Sequence, residues 1–179
     1  MSEHGGFPLE VLLGIETSRL FQVHGHTGEG PDDEIGDCFR TAIACLFGYP
    51  EATYVPHFVR ETITLGLDET GGWEDITAAR RWALATEEVD LALIDRSEVD
   101  RLGIAAAATV RSHAGLWNHS VVYQAGEVVW CPTHGDSGVY TAEDLIDDAA
   151  MLVVCQPYKP GPDELLARWR ESVAAEAAA

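Results

Sequence analysis

A short apolar segment with a cysteine near its start places the strongest constraint on the fold of this chain. Apolar side chains recur at helical spacing within residues 36–48, which predicts a buried helix. Asp37 before this helix is typical of an N-cap, and Gly48 is typical of a helix end. Cys38 then lies on the first turn, where the positive end of the helix dipole favours a thiolate. We therefore expect a buried helix whose N-terminal thiol reaches solvent.

A second segment, residues 117–132, predicts a β-hairpin that opens with a histidine. Strand-forming residues flank the dipeptide Ala125-Gly126, and the glycine permits the positive φ of a tight turn. His119 therefore lies at the entrance of a strand. A thiol at a helix N-terminus and a histidine at the mouth of a sheet, far apart in sequence, form the arrangement that thiol acyl-transfer chemistry needs.

These residues resemble the papain-like cysteine peptidases, and within them the compact branch that includes the bacteriocin-leader peptidases and related small bacterial and phage proteins. The resemblance spans residues 20–157, and its matching positions are Asp37, Cys38, Cys45, Gly48, His119 and Pro132. It implies an α+β papain-like fold in which a buried N-terminal nucleophile helix packs on an antiparallel sheet. It also implies a cysteine-dependent amide hydrolase or acyltransferase, of the peptidase, deamidase or transglutaminase-like class, that acts on a peptide or amide-bearing substrate through a thioester.

The resemblance assigns roles to individual residues. Cys38 would be the nucleophile, and His119 the general base and then the general acid. The oxyanion hole would combine the amide of Cys38 with Gln22 or His26.

One position departs from the pattern of the family. The family has an aspartate before Pro132 that orients the imidazole, and Cys131 occupies that place here. We include Cys131 among the catalytic positions. Because a thiol is only a weak hydrogen-bond partner, Asp136 and His134 in the same loop are further candidates for orienting His119.

Three further residues are candidates for lining the substrate cleft: Asp37, Trp117 and His57. Trp117 and His57 also have structural interpretations, since Trp117 can be a core residue and His57 a hydrogen-bonded structural histidine. For Cys45 we favour the role of a small core residue.

Metal binding and disulfide formation are two alternatives for the cysteines. Cys131 and His134 have a spacing that can chelate a metal, and Cys38 with His119 would complete a zinc site, but no short second half of a zinc motif exists. We predict no metal and no cofactor. A Cys38–Cys131 disulfide is the second alternative.

Composition limits the partners and the compartment. Thirty acidic and eleven basic residues give a formal charge of -19, which opposes binding to nucleic acid. No apolar run is long enough to cross a bilayer, and the first residues lack the order of a secretory signal, so we expect a cytoplasmic protein without a membrane partner. The acidic surface can attract a cationic peptide or simply keep the protein in solution. The oligomeric state is not predicted.

Hydrophobic spacing predicts the remaining elements and one domain over residues 1–160. The predicted elements are helices over 73–84 and 142–149, strands over 89–94, 104–110 and 151–156, and a C-terminal helix and tail over 161–179. A rival hypothesis from another functional class is a catalytically silent papain-like binding module, in which the missing aspartate reflects lost chemistry.

Overall fold

The computed structural model describes residues 16–23, 36–58, 73–113, 118–146 and 151–156. The helices are α1 (Cys38–Leu46), α2 (Trp73–Thr86) and α3 (Arg96–Leu102), and the strands are β1 (Asp90–Ile94), β2 (Ala105–Arg111), β3 (Asn118–Gln124), β4 (Glu127–Trp130) and β5 (Met151–Cys155). Two short 3-10 turns cover Ala52–Tyr54 and Ala142–Asp144. The chain is of the α+β class, as the sequence predicts.

The five strands form one antiparallel sheet in the order β1-β5-β2-β3-β4. Strands β2 and β3 pair along their whole length, so that Val110 lies opposite His119. Every residue of β5 is buried, because this strand has a neighbour on each side and packed side chains on both faces. The end of β3 where the chain enters carries His119.

Side chains that alternate along the strands divide the core into two clusters, one on each face of the sheet. The first face is covered by α1 and α2 and includes Ala107, Val122 and Leu152. The second face includes Val121, Tyr123 and Val153, together with Val99 of α3 and Tyr140. This two-sided burial explains why the central strands are almost continuously apolar.

Strand β2 contains four consecutive alanines, which favour a helix by intrinsic propensity alone. The predicted strand is confirmed, because tertiary packing outweighs that propensity. Ala107 faces the cluster that contains α1, while Ala106 and Ala108 face the other cluster.

The predicted hairpin is confirmed, and its turn has positive φ at both central residues, 49° at Ala125 and 91° at Gly126. Such a turn matches the twist of paired strands. Beyond β4 the chain makes a second tight turn, in which Cys131 and Gly135 exchange two backbone hydrogen bonds of 2.9 and 2.7 Å.

One local prediction is wrong. The helix expected over residues 142–149 is a single 3-10 turn, and Leu145 after it is extended and bridges to Val110. Its capping box is present: the Asp144 carboxylate accepts from the Thr141 backbone amide at 2.7 Å, and the Thr141 hydroxyl accepts from the Glu143 backbone amide at 3.2 Å. The predicted C-terminal helix lies outside the described residues, and so do residues 147–150.

Helix α3 and the 3-10 turn Ala52–Tyr54 were not predicted. Helix α3 has one fully buried apolar residue, Val99, so its hydrophobic pattern is weak. Within the described ranges, no helix combines the length and apolar character needed to cross a membrane.

Gly135→Ala should destabilise the turn that carries Cys131 by about 1 kcal/mol more than Gly138→Ala. Both glycines have positive φ, 67° and 71°, so both variants strain the backbone. Only at Gly135 would the added Cβ lie 3.3 Å from the rings of Phe21 and Trp130. Urea unfolding of the two variants measures the difference. Equal losses in the free energy of unfolding would show that the rings of Phe21 and Trp130 move aside without destabilising the fold.

Candidate thiol–imidazole site

Cys38 is the first residue of α1; as a whole residue it is partly exposed, whereas the other three cysteines are buried. Its sulfur faces the amide and the hydroxyl of Ser120 on β3 and the amide of Phe39. Burial of the sulfur raises the pKa of the Cys38 thiol above its ordinary value, and the negative charge of Asp37 raises it further. The expected stabilisation of a thiolate by the helix terminus is therefore wrong for this state, because desolvation outweighs the hydrogen bonds to the sulfur.

Asp37 occupies the N-cap position of α1, but its side chain makes no capping hydrogen bond. One carboxylate oxygen accepts hydrogen bonds from Arg40 Nε at 3.3 Å, from an Arg40 terminal nitrogen at 2.9 Å, and from the Val23 amide at 3.4 Å. Asp37 is 1% exposed. Its role is thus to hold Arg40 and the segment 16–23 against the start of α1, and this corrects the prediction of a side-chain cap.

His119 is partly buried, and its Nε2 atom has two neighbours. Cys131 Sγ and Thr133 Oγ1 each lie 3.3 Å from it. Burial lowers the pKa of His119 to about 4, and the nearby charge of His134 adds to that shift. The imidazole is consequently neutral at neutral pH and has one nitrogen able to accept a proton.

Cys131 lies at the end of β4 and is 2% exposed. Its sulfur accepts a hydrogen bond from the His134 amide at 3.4 Å. Burial raises the pKa of the Cys131 thiol above its ordinary value, although the amide and hydroxyl of Thr133 partly oppose this. Position 131 therefore contacts His119 at Nε2, whereas the hypothesis of an orienting residue at this position placed it near Nδ1. The thiol is neutral and buried.

The structure brings His119 to Cys131 and Cys38 to Ser120, but it does not bring the His119 ring into contact with the Cys38 sulfur. Successive side chains of a strand point to opposite faces. Ser120 accordingly points toward α1, while the His119 ring stacks at 5.6 Å on Tyr140 on the second face. The two proposed partners lie on either side of one peptide unit.

Gln22 joins the site from the segment 16–23. The backbone amide of Gln22 donates to the carbonyl of Pro132 at 2.9 Å, and the side-chain Oε1 accepts from the hydroxyl of Thr133 at 2.9 Å. Trp130 Nε1 donates to the Leu20 carbonyl at 2.7 Å and holds the same segment in place. The Thr133 hydroxyl thus connects Gln22 to His119, since it contacts both side chains. His26, the other candidate oxyanion donor, lies outside the described residues.

The other predicted residues lie around this centre rather than in it. Asp136 is exposed, and its carboxylate faces Arg19 at 3.8 Å instead of His119. His134 is exposed, and its ring lies 5.9 Å from that of Tyr140. His57 is partly buried and precedes Phe58, which contacts Phe39 on α1. Trp117 lies outside the described residues.

Sequence reasoning did not select Ser120, Thr133 or Tyr140. The strand period could have found Ser120, because the residue after His119 must point to the opposite face. No local signal could have found Thr133, whose partner Gln22 is 111 positions away.

A cavity of about 60 Å³ opens beside Ser120 on the α1 side of the sheet. Most of the residues that line it are apolar, among them Phe39, Ile76, Leu93, Ala107 and Leu152, and Thr109 and Ser120 contribute hydroxyl groups. A space of this size holds about four water-sized groups. It can therefore accept a short aliphatic chain.

All four cysteines are free, and within the described parts of the chain no three His, Cys, Asp or Glu side chains are grouped so that they could hold a metal ion. Comparison of the chain with protein-family models, with curated proteins and with solved structures finds no match.

Proposed function

We propose that this chain is a cysteine-dependent amide hydrolase or acyltransferase, with Cys38 as nucleophile and His119 as general base. The observation that carries the proposal is that Cys38 contacts the strand neighbour of His119, although the two side chains lie on opposite faces of the sheet. The Cys38 sulfur faces Ser120, the residue before Ser120 is His119, and His119 Nε2 lies 3.3 Å from the Cys131 sulfur. Cys38 is also the only one of the four cysteines that is partly exposed as a whole residue.

In this mechanism a neutral thiol meets a neutral imidazole. His119 takes the proton of Cys38 as the sulfur attacks the amide carbon, and the imidazolium then returns that proton to the departing amine. Water or a second amine attacks the resulting thioester and releases Cys38. The ring must approach the sulfur past Ser120, and catalytic hydrogen bonds often tighten only when substrate is bound.

The substrate class is a peptide or another amide with an aliphatic group near the scissile bond. The support is the cavity beside Ser120, whose lining is mainly Phe39, Ile76, Leu93 and Leu152. The Cys38 amide and Gln22 are the described candidates for stabilising the oxyanion.

A catalytically silent binding module is the second candidate. It is favoured by the raised pKa of the Cys38 thiol, by the low pKa of His119 and by the separation of the two side chains. The cavity would then bind an aliphatic group without chemistry.

Alkylation by iodoacetamide separates the two candidates. Cys38 should react about tenfold faster than Cys45, Cys131 and Cys155, because it is the only partly exposed residue of the four, while the desolvation of its sulfur limits the difference. That preference alone reflects exposure. The enzyme hypothesis further requires that His119→Ala slows the reaction of Cys38 by about tenfold. Mass-spectrometric mapping of alkylated peptides measures both rates.

Two variants sharpen this test. His113→Ala is the control and should leave the Cys38 rate within about twofold, since His113 contacts Tyr140 and Asp144 rather than Cys38. Cys131→Asp should raise the rate, because a carboxylate orients and stabilises an imidazolium, while Cys131→Ala should change it only a few-fold. A Cys38 rate that ignores both His119→Ala and Cys131→Asp would support the silent module instead.

A further inference from the structure

We propose that Thr133 is a positioning residue that holds His119 in the tautomer protonated at Nε2, with Gln22 as the group that sets the direction of the hydroxyl. The catalytic consequence rests on the proposed function, but the tautomer itself does not. Thr133 would thereby perform part of the task that the family assigns to the aspartate absent at position 131.

Hydrogen-bond accounting supports this assignment. A threonine hydroxyl has one proton to donate and lone pairs to accept, whereas a glutamine Oε1 can only accept. Thr133 Oγ1 lies 2.9 Å from Gln22 Oε1. The same hydroxyl also neighbours the Cys131 sulfur, but sulfur is the weaker acceptor, so the single proton points to Gln22. The contact of 3.3 Å between Thr133 Oγ1 and His119 Nε2 can then be a hydrogen bond only if Nε2 carries the proton.

The neighbouring thiol does not alter this result. Cys131 Sγ also lies 3.3 Å from Nε2. A neutral thiol is a weak donor as well as a weak acceptor, so it competes only weakly with the Thr133 oxygen for the choice of tautomer. The thiol already accepts from the His134 amide. The oxygen of Thr133 is therefore the stronger of the two acceptors at Nε2.

The backbone keeps this arrangement in register. The Gln22 amide donates to the carbonyl of Pro132, the residue before Thr133, at 2.9 Å. Gln22 thus binds the turn at two adjacent residues.

With Nε2 protonated, the unprotonated nitrogen of the neutral ring is Nδ1, and Nδ1 is the atom that would accept the proton of Cys38.

The experiment is long-range ¹H–¹⁵N correlation of the imidazole rings in the full chain at neutral pH, with the His119 signals identified by their loss in His119→Ala. The wild type should show protonated Nε2. Thr133→Val removes the hydroxyl while keeping the side-chain shape, and should lower the ratio of the Nε2–H to the Nδ1–H tautomer by about fivefold, the effect of one neutral hydrogen bond. Thr133→Ser should restore the ratio.

Gln22→Leu provides a test that a merely structural role would not pass. Without its acceptor, the Thr133 hydroxyl is released to donate to Nε2, so the population should shift toward Nδ1–H. Ser137→Ala, an exposed hydroxyl in the same loop, is the matched control and should change nothing. An Nδ1–H tautomer in the wild type, or a Thr133→Val spectrum identical to that of the wild type, would overturn the proposal.

Cys38 alkylation in the same variants separates this inference from the proposed function. If Thr133→Val shifts the tautomer and slows Cys38 a few-fold, both stand. A shifted tautomer with an unchanged Cys38 rate would support the positioning role and contradict the catalytic one.

Discussion

Asp37→Ala should lower the free energy of unfolding by about 3 kcal/mol, because it removes one partner of a buried ion pair. The Asp37 side chain is fully buried, and the side chain of Arg40 is 13% exposed. The variant leaves the Arg40 guanidinium without its carboxylate in a poorly solvated place, and it leaves the Val23 amide without its acceptor. Urea unfolding at neutral pH measures the loss.

Asp136→Ala is the matched control. Asp136 also pairs with an arginine, Arg19, but at 3.8 Å and with a side chain that is 74% exposed. Exposed pairs contribute about 0–1 kcal/mol. Similar losses in the two variants would show that the Asp37–Arg40 pair is effectively solvated. Asp37→Ala combined with Arg40→Leu should recover part of the loss, since no buried charge is then left alone.

The stability of the protein should fall by about 3 kcal/mol between pH 6.5 and pH 4 through His119 alone. The pKa of His119 is lowered from 6.5 to about 4, chiefly by burial and then by the charge of His134. The unfolded chain therefore binds a proton at a higher pH than the folded chain. The contribution is fully present above pH 6.5 and is lost as the pH falls toward 4.

Unfolding of wild type and His119→Gln in urea at pH 7.5, 6, 5 and 4 isolates this contribution. Other groups titrate in both proteins, so the difference between the two curves reports His119. The wild type should lose about 3 kcal/mol more than the variant over this range. Parallel curves for wild type and His119→Gln would show that the ring is solvated.

Local patterns predicted the elements that carry the candidate site. The spacing of apolar residues predicts α1, and Gly48 ends it with a φ of 67° as the pattern of a glycine stop requires. The dipeptide Ala125-Gly126 predicts the hairpin, because only certain residues accept positive φ at both turn positions. These signals depend only on residues that are close together in the chain, so they can be identified from the sequence alone.

Local patterns gave the wrong element, or none, where tertiary packing decides the structure of a short segment. A capping box at Thr141 and Asp144 starts a helical turn, but Leu145 leaves it to bridge to Val110 on β2. Asp95 and Gly103 flank α3 as a start and a stop would, yet its hydrophobic pattern was too weak to be selected.

The sequence by itself determined where the thiol and the imidazole lie on their elements: Cys38 at the start of a buried helix and His119 at the entrance of a strand that returns to position 131. Only the tertiary structure decided their chemistry. Burial raises the pKa of the Cys38 thiol against the helix dipole, and strand alternation turns the His119 ring toward Cys131 and Tyr140. The bond from Thr133 to Gln22 likewise depends on a segment 111 residues away. Dipoles, caps and turns act over one or two turns of chain, whereas desolvation and side-chain partners depend on which distant segments pack together, and that packing has no local signature.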